Sequence, residues 1–229
     1  MEEAATTMGK FRLVDLSLPI YHEMPIWSGE PKIVVTDYFR LGRNYGQEEV
    51  MNMKLLVLPG HAGTHTDAPS HWIEGAWTLD EVPLDRYLGP AHVLNLTHKQ
   101  PGGEDLSVAD LTPYEAKITP GCRLLLQTGW DVNLGTERYF DKEALPKITP
   151  ELMRWLAGKK AALVGVDTPS VNPYPERHRV IFEGPQPPIV VELLTNLDKL
   201  PEEVFLICLP LKIREGDGSP VRAVALIEE

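Results

Sequence analysis

The chain has 229 residues, 43% of them hydrophobic and 24% charged, and its 22 basic and 33 acidic side chains give a net charge of −11. This length and composition indicate one large globular domain or two small ones. The acidic surplus argues against binding to nucleic acid or to an anionic membrane surface, since both require a basic face. The polar start MEEAATTMGK differs from a signal peptide, and no apolar run reaches about 20 residues, so we expect a cytoplasmic protein.

The first part of the chain is predicted to consist of strands joined by loops. Residues 1–10 are predicted to be a loose tail, and a proline-rich loop follows the first strand. Pro59-Gly60 ends the third strand, where a dense loop begins. The predicted strands are Phe11 to Leu18, Ile33 to Leu41, Val50 to Leu58 and one from Ala91, with a short helix at Asp80 to Tyr87.

Helices and strands alternate in the second part. Thr112 and Glu115 predict a capping box for a helix that begins near Pro113, and Thr149-Pro150 predicts the start of a helix that ends at Gly158. Strands are predicted at Arg123 to Thr128, at Ala161 to Val166 and in the segments IVVELL, VFLICLPL and VRAVALIE, with a short polar helix after the first of these segments. This order predicts one mixed α/β domain over residues 11–229.

Cys122 and Cys208 lie in apolar stretches, which predicts two buried thiols without a disulfide bond. The sequence contains no nucleophile-elbow motif, P-loop or dinucleotide-binding motif. Serine-hydrolase and nucleotide chemistry therefore have no support. His92 and His98, on or beside a predicted strand, are interpreted as structural residues.

Three histidines and an aspartate occur within eleven residues, in His61-Ala-Gly63-Thr-His65-Thr-Asp67-Ala-Pro69-Ser-His71. Imidazole nitrogen and carboxylate oxygen are ligands of zinc and similar divalent cations. A helix would place Asp67 about 240° around from His61, and a flat strand would separate His61 from His65 by about 13 Å. We therefore expect a loop that turns back on itself; the alternative is a turn with hydrogen-bonded or solvated histidines.

The pattern His-x-Gly-Thr-His-x-Asp-x-Pro-x-His resembles the signature of the cyclase family of metal-dependent hydrolases, which includes kynurenine formamidases and isatin hydrolases. The resemblance covers nearly the whole chain, including the segments Asp15-Leu-Ser-Leu-Pro19, Pro25-Ile-Trp27-Ser-Gly29, Gly165-Val-Asp167-Thr-Pro-Ser170 and Ser219-Pro-Val-Arg222. It implies a swivelling β/β/α fold and a homodimer or higher homo-oligomer.

The resemblance also implies roles for individual residues. His71 matches the acid/base residue, with a fourth ligand or an orienting group as alternatives. Trp27 matches an aromatic substrate contact, with plain packing as the alternative. For His178 the alternative is a surface histidine in the charged run PERHR. The implied ligands of one or two metal ions are His61, His65, Asp67, His178 and Glu192.

The implied function is hydrolysis of a C–N bond other than a peptide bond. In an arylformamidase, a metal-activated hydroxide attacks N-formyl-L-kynurenine and His71 protonates the leaving amine, giving L-kynurenine and formate. Zinc is the expected metal, with manganese as the alternative. Two other functions remain open: an isatin hydrolase-like enzyme for a cyclic amide, imide or lactone, and a metal-binding protein without catalysis.

Overall fold

The computed structural model describes residues 6–42 and 51–228, which contain twelve strands and three α-helices. The strands are β1 (Thr6–Met8), β2 (Phe11–Asp15), β3 (Val34–Phe39), β4 (Met53–Val57), β5 (His65–Asp67), β6 (Leu88–Asn95), β7 (Arg123–Gln127), β8 (Leu163–Val166), β9 (Ile189–Glu192), β10 (Glu203–Ile207), β11 (Gly218–Pro220) and β12 (Val224–Glu228). The α-helices are α1 (Val108–Leu111), α2 (Pro150–Gly158) and α3 (Pro175–His178), and short 3₁₀ helices occupy many of the connections.

Ten of these strands form one mixed sheet in the order β1-β2-β12-β10-β6-β7-β8-β9-β5-β11, and β3 pairs with β4 in a separate hairpin. The four strands β6, β7, β8 and β9 are adjacent and parallel to one another. All other strand pairs of this sheet are antiparallel. The mixed α/β fold predicted from the sequence is confirmed.

The parallel strands are covered on both faces. Leu124 and Leu126 of β7 share a hydrophobic cluster with Leu152 and Leu156 of α2, while Leu125 packs into the cluster on the opposite face. That opposite cluster also receives side chains from β2, β10 and β12, so the sheet curls around it. Burial on two faces explains why these strands are apolar runs without polar alternation.

Helix α2 begins and ends where the sequence predicts. The Thr149 side chain accepts a hydrogen bond from the Leu152 N–H at 3.3 Å, and Pro150 occupies the first turn. The prediction for Thr112 and Glu115, by contrast, is wrong.

The capping box lies one turn earlier, at Ser107 and Asp110. Helix α1 follows it, and Thr112–Lys117 forms a 3₁₀ helix. Pro113 explains the change, because it lacks the N–H that would continue an α-helix. The helix predicted at Asp80 to Tyr87 is likewise only a 3₁₀ turn over Leu84–Arg86, which starts after Pro83.

The loose tail predicted over residues 1–10 is wrong for Thr6–Met8. These residues form β1 and pair with Phe11–Leu13 across a turn that contains Gly9 at φ 63°. Threonine favours extended backbone, and the edge of β2 offers hydrogen-bonding groups to it. Residues 1–5 lie outside the described part of the chain, as does Val50, the predicted start of the third strand.

Cys122 and Cys208 are buried and unpaired, as predicted. Burial raises the pKa of Cys208 to about 12, and its thiol donates a hydrogen bond to the Tyr87 carbonyl at 3.1 Å. Within the described residues, no helix is long and apolar enough to cross a membrane.

Candidate metal centre

The histidine-rich segment enters the large sheet through β5. His65 and Asp67, two residues apart on this strand, project to the same side, and His65 lies opposite Glu192 of β9. The prediction of a loop over the whole segment is therefore wrong for His65–Asp67. These residues form a strand because β9 pairs with one edge of β5 and β11 pairs with the other. The chain turns only on either side of this strand, with Gly63 at φ 60° before β5 and a 3₁₀ turn over Pro69–His71 after it.

Three imidazole rings converge on the buried carboxylate of Asp67. His61 Nδ1 lies 2.8 Å and His65 Nε2 3.3 Å from Asp67 Oδ1. His178 Nε2 lies 3.3 Å from Asp67 Oδ2. Glu192 approaches two of the same rings, with oxygens 3.6 Å from His65 Nε2 and 3.8 Å from His178 Nε2. The five side chains that the resemblance offered as ligands thus meet at one place.

The far nitrogens of two rings are held by neighbouring groups. His65 Nδ1 lies 2.8 Å from the Gly63 carbonyl oxygen and donates to it, while His178 Nδ1 lies 3.3 Å from Ser170 Oγ. Such partners fix the orientation of a ring and leave the opposite nitrogen for a metal ion. In both residues that opposite nitrogen, Nε2, faces Asp67 and Glu192.

His178 is a buried residue of α3, so the alternative of a surface histidine is wrong. Its ring lies 5.2 Å from Trp72 and stacks at 6.0 Å on Phe182. Its Nε2 atom is one of the buried side-chain atoms without a hydrogen-bond partner among the described residues. A buried polar nitrogen without such a partner is costly, and a bound cation would remove that cost.

Two sets of three side chains in this cluster have donor atoms within 4.8 Å of one another: His61, Asp67 and His71 in one, His65, Asp67 and Glu192 in the other. Asp67 belongs to both sets. Imidazole and carboxylate donors suit zinc and similar divalent cations. The residues present therefore fit a divalent metal.

Asp217 is a member of the cluster that the sequence analysis missed. One of its carboxylate oxygens, Oδ2, lies 3.1 Å from His61 Nε2 and 3.1 Å from His71 Nδ1, and the rings of these two histidines are 4.0 Å apart. Asp217 therefore holds the outer nitrogen of a candidate ligand and one nitrogen of the candidate acid/base residue. The available signal was its place in Gly216-Asp217-Gly218, directly before the matching segment that begins at Ser219.

The charges in the cluster follow from burial and these contacts. Burial opposes the negative charge of Asp67, but the approach of His178, His61 and His65 outweighs it and holds its pKa well below the ordinary value. Burial also opposes the positive charge of His61, yet hydrogen bonds to Asp217 and Asp67 raise its pKa to about 10. For Glu192, burial and then the nearby Asp67 charge raise the pKa.

His71 behaves differently, because burial lowers its pKa below the ordinary histidine value of 6.5. The nearby His61 and His178 act in the same direction, while Asp67 and Asp217 oppose it. The ring is thus mainly neutral at pH 7, the form that accepts a proton before passing it on.

The cluster forms the floor of a cavity of about 310 Å³. Trp27 lines this cavity together with Phe140, and their rings meet edge to face at 5.1 Å. Trp27 therefore packs against Phe140, as the alternative reading expected. The same side chain also lines the cavity that contains the histidines. Glu30 and Lys142 also line the cavity, and neither was singled out from the sequence.

The family model "Putative cyclase" matches residues 14–173. The kynurenine formamidase of Salinibacter ruber (strain DSM 13855 / M31) is 32% identical over 221 residues, which cover 93% of this chain and 96% of that protein. The kynurenine formamidase of Geobacillus thermodenitrificans (strain NG80-2) is 30% identical over 223 residues, or 92% and 95% of the two chains.

Among solved structures, an isatin hydrolase bound to the product analogue thioisatinate is similar to this chain with a TM-score of 0.83 and 28% identity. The match covers 96% of this chain and 94% of that one. Because the family model matches most of the chain and the relatives match it over nearly their whole length, the chain belongs to the cyclase family.

Proposed function

We propose that this protein is a metal-dependent hydrolase of aryl amides, with an N-formylated aromatic amine as substrate. The observation that carries the proposal is the convergence of His61, His65 and His178 on Asp67 in the floor of a cavity. Two kynurenine formamidases at 30% and 32% identity support the same reaction. N-formyl-L-kynurenine is the proposed substrate, and L-kynurenine and formate are the products.

The metal-holding residues in this proposal are His61, His65, Asp67, His178 and Glu192. A divalent cation bound there supplies Lewis acidity, which polarises a carbonyl group and lowers the pKa of water from 15.7 to about 7. Burial of Asp67 and Glu192 keeps their charges in a poorly solvated site, where each is stabilised by a cation more strongly than in water.

His71 is the proposed acid/base residue. Asp217 accepts a hydrogen bond from its Nδ1 atom, which leaves Nε2 to exchange protons. His71 Nε2 would take a proton from the attacking water and donate it to the leaving aniline nitrogen as the C–N bond of the amide breaks. The alternative role of His71 as a ligand stays open, because its donor atom lies within 4.8 Å of the His61 and Asp67 donors.

The proposed metal is zinc, bound as one or two ions, with manganese as the alternative. Two imidazole rings fixed at their outer nitrogens favour a borderline cation such as zinc over magnesium or calcium. The two carboxylates of the ligand set, Asp67 and Glu192, are the reason that manganese is the alternative metal. Metal analysis of the protein purified without chelator, by mass spectrometry, distinguishes the two.

A homodimer or higher homo-oligomer is also proposed, with a single domain that contains residues 11–229 together with β1. Strands β3 and β4 form a two-stranded sheet, and such a pair is marginally stable alone. Tyr38, Leu56 and Val57 on this hairpin are each more than half exposed, which is typical of a surface that a partner covers. Light scattering after size-exclusion chromatography tests this, and Leu56→Lys is expected to shift the protein toward monomer. The cytoplasmic location stays a prediction from the sequence.

A second candidate is hydrolysis of a cyclic amide, imide or lactone. The solved isatin hydrolase structure favours it, since its similarity extends over 96% of this chain. Ring opening requires the same water activation and the same proton transfer. The third reading, a metal-binding protein without catalysis, leaves the placement of His71 beside Asp217 without a purpose.

The deciding experiment compares turnover of N-formyl-L-kynurenine, isatin and a simple aryl lactone by the zinc-loaded protein. The proposal predicts formate release and the highest kcat/KM for the formamide. A higher kcat/KM for isatin would move the assignment to the second candidate. No turnover of any ester or amide, with metal bound, would contradict both.

A further inference from the structure

Lys142 occupies an unusual position in the cavity above the metal-binding cluster. The carboxylates that line this cavity are Asp67, Glu192 and Glu30, and Lys142 is the one lysine or arginine among its lining residues in the described part of the chain. A permanent positive charge at this point is not required for hydrolysis of the amide. Such a charge would, however, bind a negatively charged group of a substrate.

The Lys142 ammonium group lies beside the aromatic wall. Its Nζ atom is 5.6 Å from the centre of the Trp27 ring, within the range of a cation–π contact. Within residues 6–42 and 51–228, no carboxylate lies at ion-pairing distance from Lys142, so its charge is available to a bound anion.

The backbone around Lys142 is well held although the side chain is exposed. The buried Lys147 donates hydrogen bonds from Nζ to the Lys142 carbonyl at 3.2 Å and to the Leu145 carbonyl at 2.9 Å. The Ala144 and Leu145 N–H groups donate to the Asp141 carbonyl, which closes a turn. The base of the Lys142 side chain is therefore fixed beside Phe140 and Trp27.

We propose that Lys142 is a specificity-determining residue that binds the carboxylate of an anionic aryl-amide substrate while Trp27 and Phe140 hold its aromatic ring. This inference rests on the proposed function of the same cavity. The amide then lies toward His71 and Asp67, and the acid group lies at the opposite, Trp27 side. An aromatic amino acid carries a carboxylate in such a position, whereas a neutral aryl amide does not.

The test compares kcat/KM for N-formyl-L-kynurenine with kcat/KM for formanilide, which has the aryl formamide but no carboxylate. Lys142→Met removes the charge and keeps the aliphatic stem, Lys142→Arg keeps the charge, and Lys199→Met is the control at an exposed lysine in the turn Leu197–Lys199. We expect the ratio of the two values to fall about tenfold in Lys142→Met, as for loss of one charge-assisted hydrogen bond, and to recover in Lys142→Arg. Lys199→Met keeps the wild-type ratio.

An unchanged ratio in Lys142→Met, or an equal loss on both substrates, would overturn the role of Lys142 and leave the proposed hydrolase intact. Absence of formamide hydrolysis in the wild-type protein would instead overturn the proposed function. In that case the role of Lys142 is tested by measuring the binding of L-kynurenine to the zinc-loaded protein by calorimetry. A dissociation constant weakened about tenfold by Lys142→Met supports carboxylate binding, and an unchanged one contradicts it.

Discussion

His65 and Glu192 lie directly opposite each other on the antiparallel strands β5 and β9, with His65 Nε2 3.6 Å from a Glu192 oxygen. Asp67 follows on the same face of β5. These three candidate ligands are therefore positioned by the hydrogen bonds of a sheet, which hold a site more rigidly than a free loop does.

Glu192→Gln tests the contribution of β9 to metal binding. The glutamine keeps the shape and can still accept the hydrogen bond that the Val171 N–H donates to Glu192 at 2.7 Å. It removes the negative charge, so we expect metal affinity to fall by about 10- to 100-fold, or one of two ions to be lost. Calorimetric zinc titration measures this, with Glu203→Gln on β10 as the control. Wild-type affinity and stoichiometry in Glu192→Gln would remove Glu192 from the ligand set.

Gly218→Ala tests the space around His61. A Cβ atom at Gly218 would lie 2.7 Å from His61 Nε2, closer than side chains approach, so the ring must leave the position in which it contacts Asp67 and Asp217. We expect zinc affinity to fall at least about tenfold, in line with a misplaced ligand. Gly158→Ala is the matched control, because no atom lies within 4 Å of its added Cβ. Equal zinc affinity in the two variants would show that His61 does not hold the metal.

Asp217→Asn tests whether Asp217 positions His71. The asparagine no longer accepts a charge-assisted hydrogen bond, so the His71 ring loses its fixed orientation. We expect kcat to fall by about 10- to 100-fold with a much smaller change in KM, and Asp217→Glu to recover part of the loss. Steady-state kinetics measure both, with Asp198→Asn as an exposed control. A change confined to KM would indicate that Asp217 contacts substrate instead.

Asp167 predicts a pH dependence of stability away from the cavity. Burial raises its pKa to about 7, although hydrogen bonds from Thr128 and Gly129 favour its charged form. The folded chain therefore keeps this proton at pH values where an unfolded chain has released it, above the ordinary value of 3.8. The stability contributed by the protonated group is complete below that value and is lost as the pH rises to about 7.

Asp167→Asn isolates the pH-dependent contribution of Asp167 to stability, because asparagine does not titrate. We expect the difference in free energy of unfolding, wild type minus Asp167→Asn, to decrease between about pH 4 and about pH 7. Urea denaturation of both proteins in chelator measures it without a contribution from bound metal. A difference that stays constant or increases over this range would contradict the raised pKa.

The sequence predicted nine of the twelve described strands and the helix at Thr149-Pro150, because these depend on local signals of periodicity and capping. It placed His61, His65, Asp67 and His71 together because they share one short segment. Strands β5 and β11 were missed, since three residues each carry too little periodicity and the pairing of β5 with β9 and β11 is long-range.

Long-range contacts also explain what the sequence could not predict of the site. Asp217 reaches His71 from 146 residues away along the chain, and no local pattern connects them. His178 and Glu192 were found only through the resemblance to a known family. The proposed role of Lys142 depends on its position beside Trp27 and Phe140, which come together only after the chain has folded.

The central claim is that the Asp67 carboxylate holds the metal ions on which hydrolysis depends. The most direct measurement is zinc content together with formate release from N-formyl-L-kynurenine, for wild type and Asp67→Asn, each stripped by chelator and reloaded with zinc. We predict that the stripped wild type is inactive, that it recovers on reloading, and that Asp67→Asn neither retains zinc nor releases formate. Undiminished formate release by the stripped wild type, or zinc retention with activity in Asp67→Asn, would contradict the claim.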